Sequence, residues 1–163
     1  MSRPLPPPME PLARRTALDL PQYRYVPGLN PHPFRHHDGH SYTDGSAPPE
    51  DPEQLPMMWL YGCDLFDHRF YWEAHEAWEA CWHHAPPGPR RELLQGLIQA
   101  AAAILKRHMG HERAAARLLA AAAVRLQAAA AQSGGRLDGL DIAATQAAVA
   151  DSFAAGDWPL LVG

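Results

Sequence analysis

Lysine is nearly missing from this chain. Lys106 is the single lysine among 163 residues, and the whole basic complement of 14 faces 18 acidic residues, a formal net charge of −4. That balance lacks the basic footprint of a nucleic-acid binder, and no polybasic cluster is present to hold anionic lipid. Cysteine is scarce too. Cys63 and Cys81 are too few and too scattered for a disulfide framework or a cysteine zinc site, and they suit a reducing compartment. No apolar run reaches the roughly 18 residues of a spanning helix, so no membrane segment is expected. The opening Met1-Ser-Arg-Pro-Leu-Pro-Pro-Pro lacks the apolar core of a secretory signal. A cytoplasmic protein is the resulting expectation. Nor does any stretch alternate apolar with polar residues long enough to predict a strand.

Proline, by contrast, is abundant and unevenly placed. Most of the 17 prolines precede residue 57, which predicts an irregular arm rather than helices over residues 1–54. Residues 1–22 read as a disordered or loosely attached tail. Residues 23–54 read as an arm packed on a helical body, because Tyr25, Phe34 and Tyr42 are aromatics that a free tail would not need. Residues 46–56 read as a polar, proline-rich connector.

Residues 55–163 read as one helical domain. The first helix spans Leu55 to Phe66. Asp67 is placed to cap the second, Phe70 to His84, which ends at Pro86-Pro87-Gly88-Pro89. A third runs from Arg90 to Met109 with Gly110 just beyond its end. The fourth, His111 to Gln132, is rich in alanine and has Leu118, Leu119, Val124 and Leu126 as its larger apolar residues. Ser133-Gly134-Gly135 breaks it, and Asp141 to Ala155 is the fifth, with Ile142, Val149 and Phe153 as core candidates. The expected fold class is all-α: a single bundle of about five helices in antiparallel hairpins, with an irregular proline-rich N-terminal arm.

The second helix carries the most informative pair. A helical step of about 100° puts Tyr71, His75, Trp78, Glu79 and Trp82 on one stripe. Glu73 and Glu76 fall on the opposite side and its edge, as surface carboxylates. An imidazole and a carboxylate on an aromatic face need partners: each other, water, a metal or a ligand. His75 and Glu79, at i and i+4, lie side by side and are able to share one metal ion. A divalent ion needs at least one more protein ligand. The arm offers His32 and His40 on constrained backbone, whereas His36 and His37 read as solvated. The motif is His-Glu-x-x-Glu, and the second histidine of a zinc protease is absent. Trp82, Gln95, Gln99 and Glu76 are candidate lining residues, with Gln95 and Gln99 flanking Gly96, which permits close backbone approach. The bland alternative is a structural pair in which Glu79 fixes His75 through a hydrogen bond.

At these residues the chain resembles domain of unknown function family 309, found in bacteria and archaea, whose hallmark is H-x-x-x-E-x-x-W or Y. Here that is His75, Glu79 and Trp82, preceded by Tyr71-Trp72-Glu73-Ala74. The similarity extends through Leu94-Gln95-Gly96-Leu97-Ile98-Gln99 and Ala116-Arg117-Leu118-Leu119, covering about residues 60–127. Val26-Pro27-Gly28, His32-Pro33 and Gly39-His40-Ser41-Tyr42 look like the N-terminal extension of longer members. His68 and His111 stand at turns where members carry Gly and Asn. The resemblance implies an all-helical fold and suggests metal binding through the histidine and glutamate; it brings no established reaction. The functional expectation is a site for a divalent metal ion or small ligand centred on His75 and Glu79. If it is catalytic, metal-assisted hydrolysis is the simplest chemistry, with Glu79 as ligand and Glu76 or a free carboxylate as base. The competing expectation is a non-catalytic helical module that binds a protein partner.

Overall fold

The structure, a computed structural model, describes residues 2–43 and 51–163. The expected connector at residues 46–56 lies outside the described residues as far as Glu50. From Asp51 the chain makes one 3-10 turn, Pro52–Gln54, and enters α1 (Leu55–Asp67). α2 (Tyr71–His84), α3 (Pro89–His108) and α4 (Glu112–Ser133) follow at connections of three or four residues, and α5 (Ile142–Ala155) closes the bundle. Connections this short turn each helix back onto its predecessor, so sequential helices are neighbours.

Local chemistry sets these boundaries. Pro89 occupies the first turn of α3, where its missing N–H costs nothing. Arg91 reaches back from that turn to donate to the carbonyls of Trp82 and Ala85, at 3.0 and 2.7 Å, satisfying the C-terminal end of α2. Asp141 caps α5 by accepting from the Ala144 amide at 2.9 Å. Gly134, with φ of 75°, ends α4 in the left-handed conformation. Between α4 and α5 lies one feature that the sequence reading lacks: a hairpin of two-residue strands, β1 (Arg136–Leu137) and β2 (Leu140–Asp141), paired Arg136 to Asp141 and Leu137 to Leu140. Strands this short cannot display a period.

The core sits between α1, α2 and α3. Phe66, Tyr71 and Trp78 are fully buried, with Phe66 5.3 Å edge-on from Tyr71 and 5.7 Å from Trp78. Leu93, Leu94, Leu97 and Ile104 of α3 close over them. Gly96 lets α4 approach: a Cβ there would meet the Leu126 side chain at 2.8 Å. Val124, one of the larger apolar residues of α4, is 65% exposed because the core face of α4 is made by Ala115, Ala122, Leu126 and Ala129. By length and composition α4 is apolar enough to cross a membrane, with a mean hydropathy of 1.3 over an 18-residue window. Alanine supplies that value, and Arg113, Arg117 and Arg125 keep the helix from being an unbroken apolar run.

The arm departs most from expectation. Residues before 23 do not trail away. Leu5 is buried, and the segment Arg14-Arg15-Thr16 wraps one carboxylate. Asp64 of α1 is wholly buried and accepts from the Arg15 amide (2.8 Å), the Arg14 guanidinium (3.0 Å), and the Thr16 amide (2.9 Å) and hydroxyl (2.8 Å). A composition-based reading misses this because the ordering comes from one polar residue on a distant helix. Asp67 does not cap α2. It ends α1, accepting from Arg15 on one oxygen and from the Leu161 amide on the other, at 2.8 and 2.9 Å. Of the arm aromatics, Tyr25 is buried as expected, along with Val26, while Phe34 and Tyr42 stay 48% and 39% exposed.

Burial pushes the Asp64 carboxyl up, but the hydrogen bonds from Arg15, Arg14 and Thr16 outweigh it and hold its pKa below the ordinary value. A depressed native pKa means that this stabilisation is complete above the unfolded value near 4, and is lost as pH falls through the native one. Asp64→Asn is therefore expected to lower the unfolding free energy by about 1.5–3 kcal/mol in urea titration. In the wild type, hydrogen-exchange protection of the Arg15 and Thr16 amides should fade below about pH 4. Protection that persists in the variant would show that the segment is held by something else.

Candidate functional site

α2 presents two polar groups on different sides. The first is the pair read from the sequence. His75 and Glu79 stand at the rim of the aromatic face, with side chains 26% and 38% exposed, and Nε2 of the imidazole is 3.3 Å from a Glu79 oxygen. On its other side, His75 Nδ1 is 3.5 Å from Glu76 Oε1, too poorly aligned for a hydrogen bond. The three residues offer ligand atoms that all lie within 4.8 Å of one another. Burial raises the pKa of Glu76, the charge on Glu79 raises it further, and His75 opposes both. Glu76 is thus a member of the group rather than a plain surface carboxylate.

The third member is not an arm histidine. Neither His32 nor His40 belongs to that convergent group. His32 Nδ1 accepts from the amides of Phe34 and Arg35, at 3.2 and 3.3 Å, and so folds its own loop. Burial and the Arg35 charge lower its pKa, which keeps this nitrogen an acceptor. Its ring packs edge-on against Trp72 at 5.5 Å. Among the described residues the second convergent group is His36, His37 and Asp38, all exposed.

His40 instead makes the second polar group, with Glu73. Their side chains are 3% and 5% exposed, and Nε2 lies 2.9 Å from Glu73 Oε1. The same oxygen accepts from the Tyr25 amide at 2.8 Å. His40 Nδ1 is 2.8 Å from the Ser41 hydroxyl. A carboxylate only accepts, so His40 Nε2 donates to Glu73. Tyr23 steadies the loop: its hydroxyl donates to the Pro31 carbonyl at 2.7 Å and accepts from the His40 amide at 3.1 Å. Gly39 permits the tight turn, since a Cβ there would collide with the carbonyl oxygens of His32 and Pro33.

Glu73 is therefore not the surface carboxylate that the helical wheel predicts. The wheel knows one wall, the bundle, while the arm supplies another. The sequence did hold a signal, in the constrained Gly39-His40-Ser41 turn and in the Glu73 of the aromatic run before His75. The other candidates are dispersed. Trp82 is half-buried beneath the Arg91 guanidinium, which lies 4.0 Å from its ring centre. Gln95 and Gln99 are half-buried on α3, and the Gln99 Oε1 is buried with no hydrogen-bond partner among the described residues.

Residues 59–118 match the family described as Domain of unknown function (DUF309). No curated protein matches the chain. The matched stretch includes all of α2, and so holds Glu73, His75, Glu76 and Glu79, whereas His32, His40 and Ser41 lie outside it.

The two groups differ in their expected contribution to stability. His40→Ala strips a buried carboxylate of one partner and should lower the unfolding free energy by about 2 kcal/mol. His75→Ala removes a part-exposed i,i+4 contact and should cost under about 1 kcal/mol. Urea titration of both variants ranks them, and the opposite order would make the His75 pair the structural one.

Proposed function

We propose that the DUF309 segment of this chain binds a divalent cation through His75, Glu76 and Glu79. The observation that carries this reading is the convergence of one imidazole nitrogen and two carboxylate oxygens within 4.8 Å on a single helix turn. Three donors about 2 Å from one ion lie no more than about 4 Å apart, so small side-chain rotations suffice to close the set. One nitrogen and two oxygens suit a borderline or hard ion such as zinc, iron or manganese. Two neighbouring carboxylates, one with its pKa raised, gain a counter-charge from such an ion.

Binding uses all three donors, and a hydrolytic role would not. A bound divalent ion supplies Lewis acidity and a water of lowered pKa. For Glu76 to take a proton from that water it must leave the coordination set, which leaves only His75 and Glu79 from the group. The reading adopted is therefore metal binding, with no reaction assigned.

Elemental analysis of protein purified without an affinity tag, and calorimetric titration of chelator-stripped protein with Zn2+ and Mn2+, test it. One equivalent of a divalent metal should bind. Glu76→Gln and Glu79→Gln should each weaken affinity by about tenfold or more. His32→Ala and His40→Ala should leave it unchanged. Absence of stoichiometric metal together with a flat titration would end the reading, and the His75–Glu79 contact would then be structural.

A further inference from the structure

Beneath the arm, on the side of α2 that carries Glu73, lies an open cavity of about 380 Å3 between residues 21–41, α1 and α2. That is within the size range of small-molecule sites. Its walls are mostly apolar. Phe34 and Trp72 form an aromatic corner with ring centres 5.6 Å apart, and Met58, Tyr61 and Leu65 of α1 line the other side. The polar groups in the wall are few. Glu73 and Glu76 are both there, beside His40 and Ser41, and among the described residues no lysine or arginine lines the cavity.

The deeper carboxylate is incompletely satisfied. Glu73 Oε1 holds the Tyr25 amide and His40, but Oε2 is buried with no hydrogen-bond partner among the described residues. A buried acceptor left unpaired is costly, and one in a native site calls for a donor. His40 does not provide it, because its two nitrogens are committed to Glu73 Oε1 and Ser41. Because Glu73 and Glu76 both line the cavity, whatever fills it gains most by bringing N–H donors and positive charge to the acidic wall and apolar surface to the rest. An anion meets two carboxylates with no lining guanidinium or ammonium to offset them. A neutral hydrocarbon fits the apolar walls but leaves the two lining carboxylates without a counter-charge. An ammonium group has three donors, and aromatic rings within about 6 Å attract it further.

We infer that this cavity is a binding site for an organic cation, a primary ammonium carried on a short alkyl or aryl body, with Glu73 and Glu76 as its counter-charges and Phe34 and Trp72 as its aromatic wall. The site is separate from the proposed metal group except at Glu76, which faces both, and it does not need the metal.

Calorimetric titration of the full chain in excess chelator, with n-hexylammonium and phenethylammonium as probes and hexanoate and 1-hexanol as isosteric controls, tests it. The ammonium compounds should bind at one site, at least tenfold tighter than 1-hexanol, the difference expected of one charge-assisted hydrogen bond. Hexanoate should not bind. Glu73→Gln should weaken the ammonium probes by about tenfold or more. Because Glu73 also anchors the arm, Glu76→Gln and Phe34→Ala, at half-buried and exposed positions, provide independent tests, and each should weaken binding several-fold. No heat from either ammonium compound overturns the inference. Equal affinity for hexylammonium and 1-hexanol overturns it, as does ammonium binding that Glu76→Gln and Phe34→Ala both leave unchanged. Chelator throughout keeps this result independent of whether the protein binds metal.

Discussion

Buried carboxylates organise this protein. An ionised carboxylate withdrawn from water is tolerated only when several donors surround it. Asp64 on α1 and Glu73 on α2 are both withdrawn, and neither draws its donors from the bundle. Asp64 takes them from Arg14, Arg15 and Thr16, and Glu73 from Tyr25 and His40. The two carboxylates thus carry a need that the arm meets, and they are two of the points at which polar contacts hold the arm to the helices. Asp67 extends the same logic to the other end of the chain, binding Arg15 and the Leu161 amide at once.

This arrangement decides where a ligand has access. On the outer rim of α2, His75, Glu76 and Glu79 converge with partial exposure. Under the arm, Glu73 is enclosed, and the arm residues Phe34, His40 and Ser41 turn what would be a helix surface into a cavity wall. Glu76 lies between these regions. A change in its charge would be felt on both sides, so occupation of one site and of the other should not be energetically independent.

Much of the bundle was legible beforehand. Helix boundaries followed from Pro86-Pro87-Gly88-Pro89, Gly110 and Ser133-Gly134-Gly135, because these residues act locally through backbone geometry. The closeness of His75 and Glu79 was legible for the same reason, since i and i+4 meet on any helix. What escaped was every feature made by residues far apart in sequence. Asp67 looked like a cap for the next helix, yet its partners are some 50 residues before it and 94 after it. Glu73 looked solvated because a helical wheel contains no arm. His40 was singled out for its constrained backbone, but its partner was sought on the aromatic stripe of α2, at His75 and Glu79, rather than at Glu73 on the opposite side. A composition reading of residues 1–22 saw proline and low hydrophobicity, and neither reveals a carboxylate waiting on α1.

The latch at Asp64 also sets an order of events during folding. The hairpins of α1 to α4 begin to close across connections of three or four residues, whereas the arm must span 48 to 50 positions to reach Asp64. Local closure is the faster process. The arm, made before α1, is thus among the last segments to dock, since its receptor does not exist until α1 and α2 have been made and have packed. Until then Asp64 and Glu73 remain hydrated, and the surface destined to become the cavity wall lies open to water.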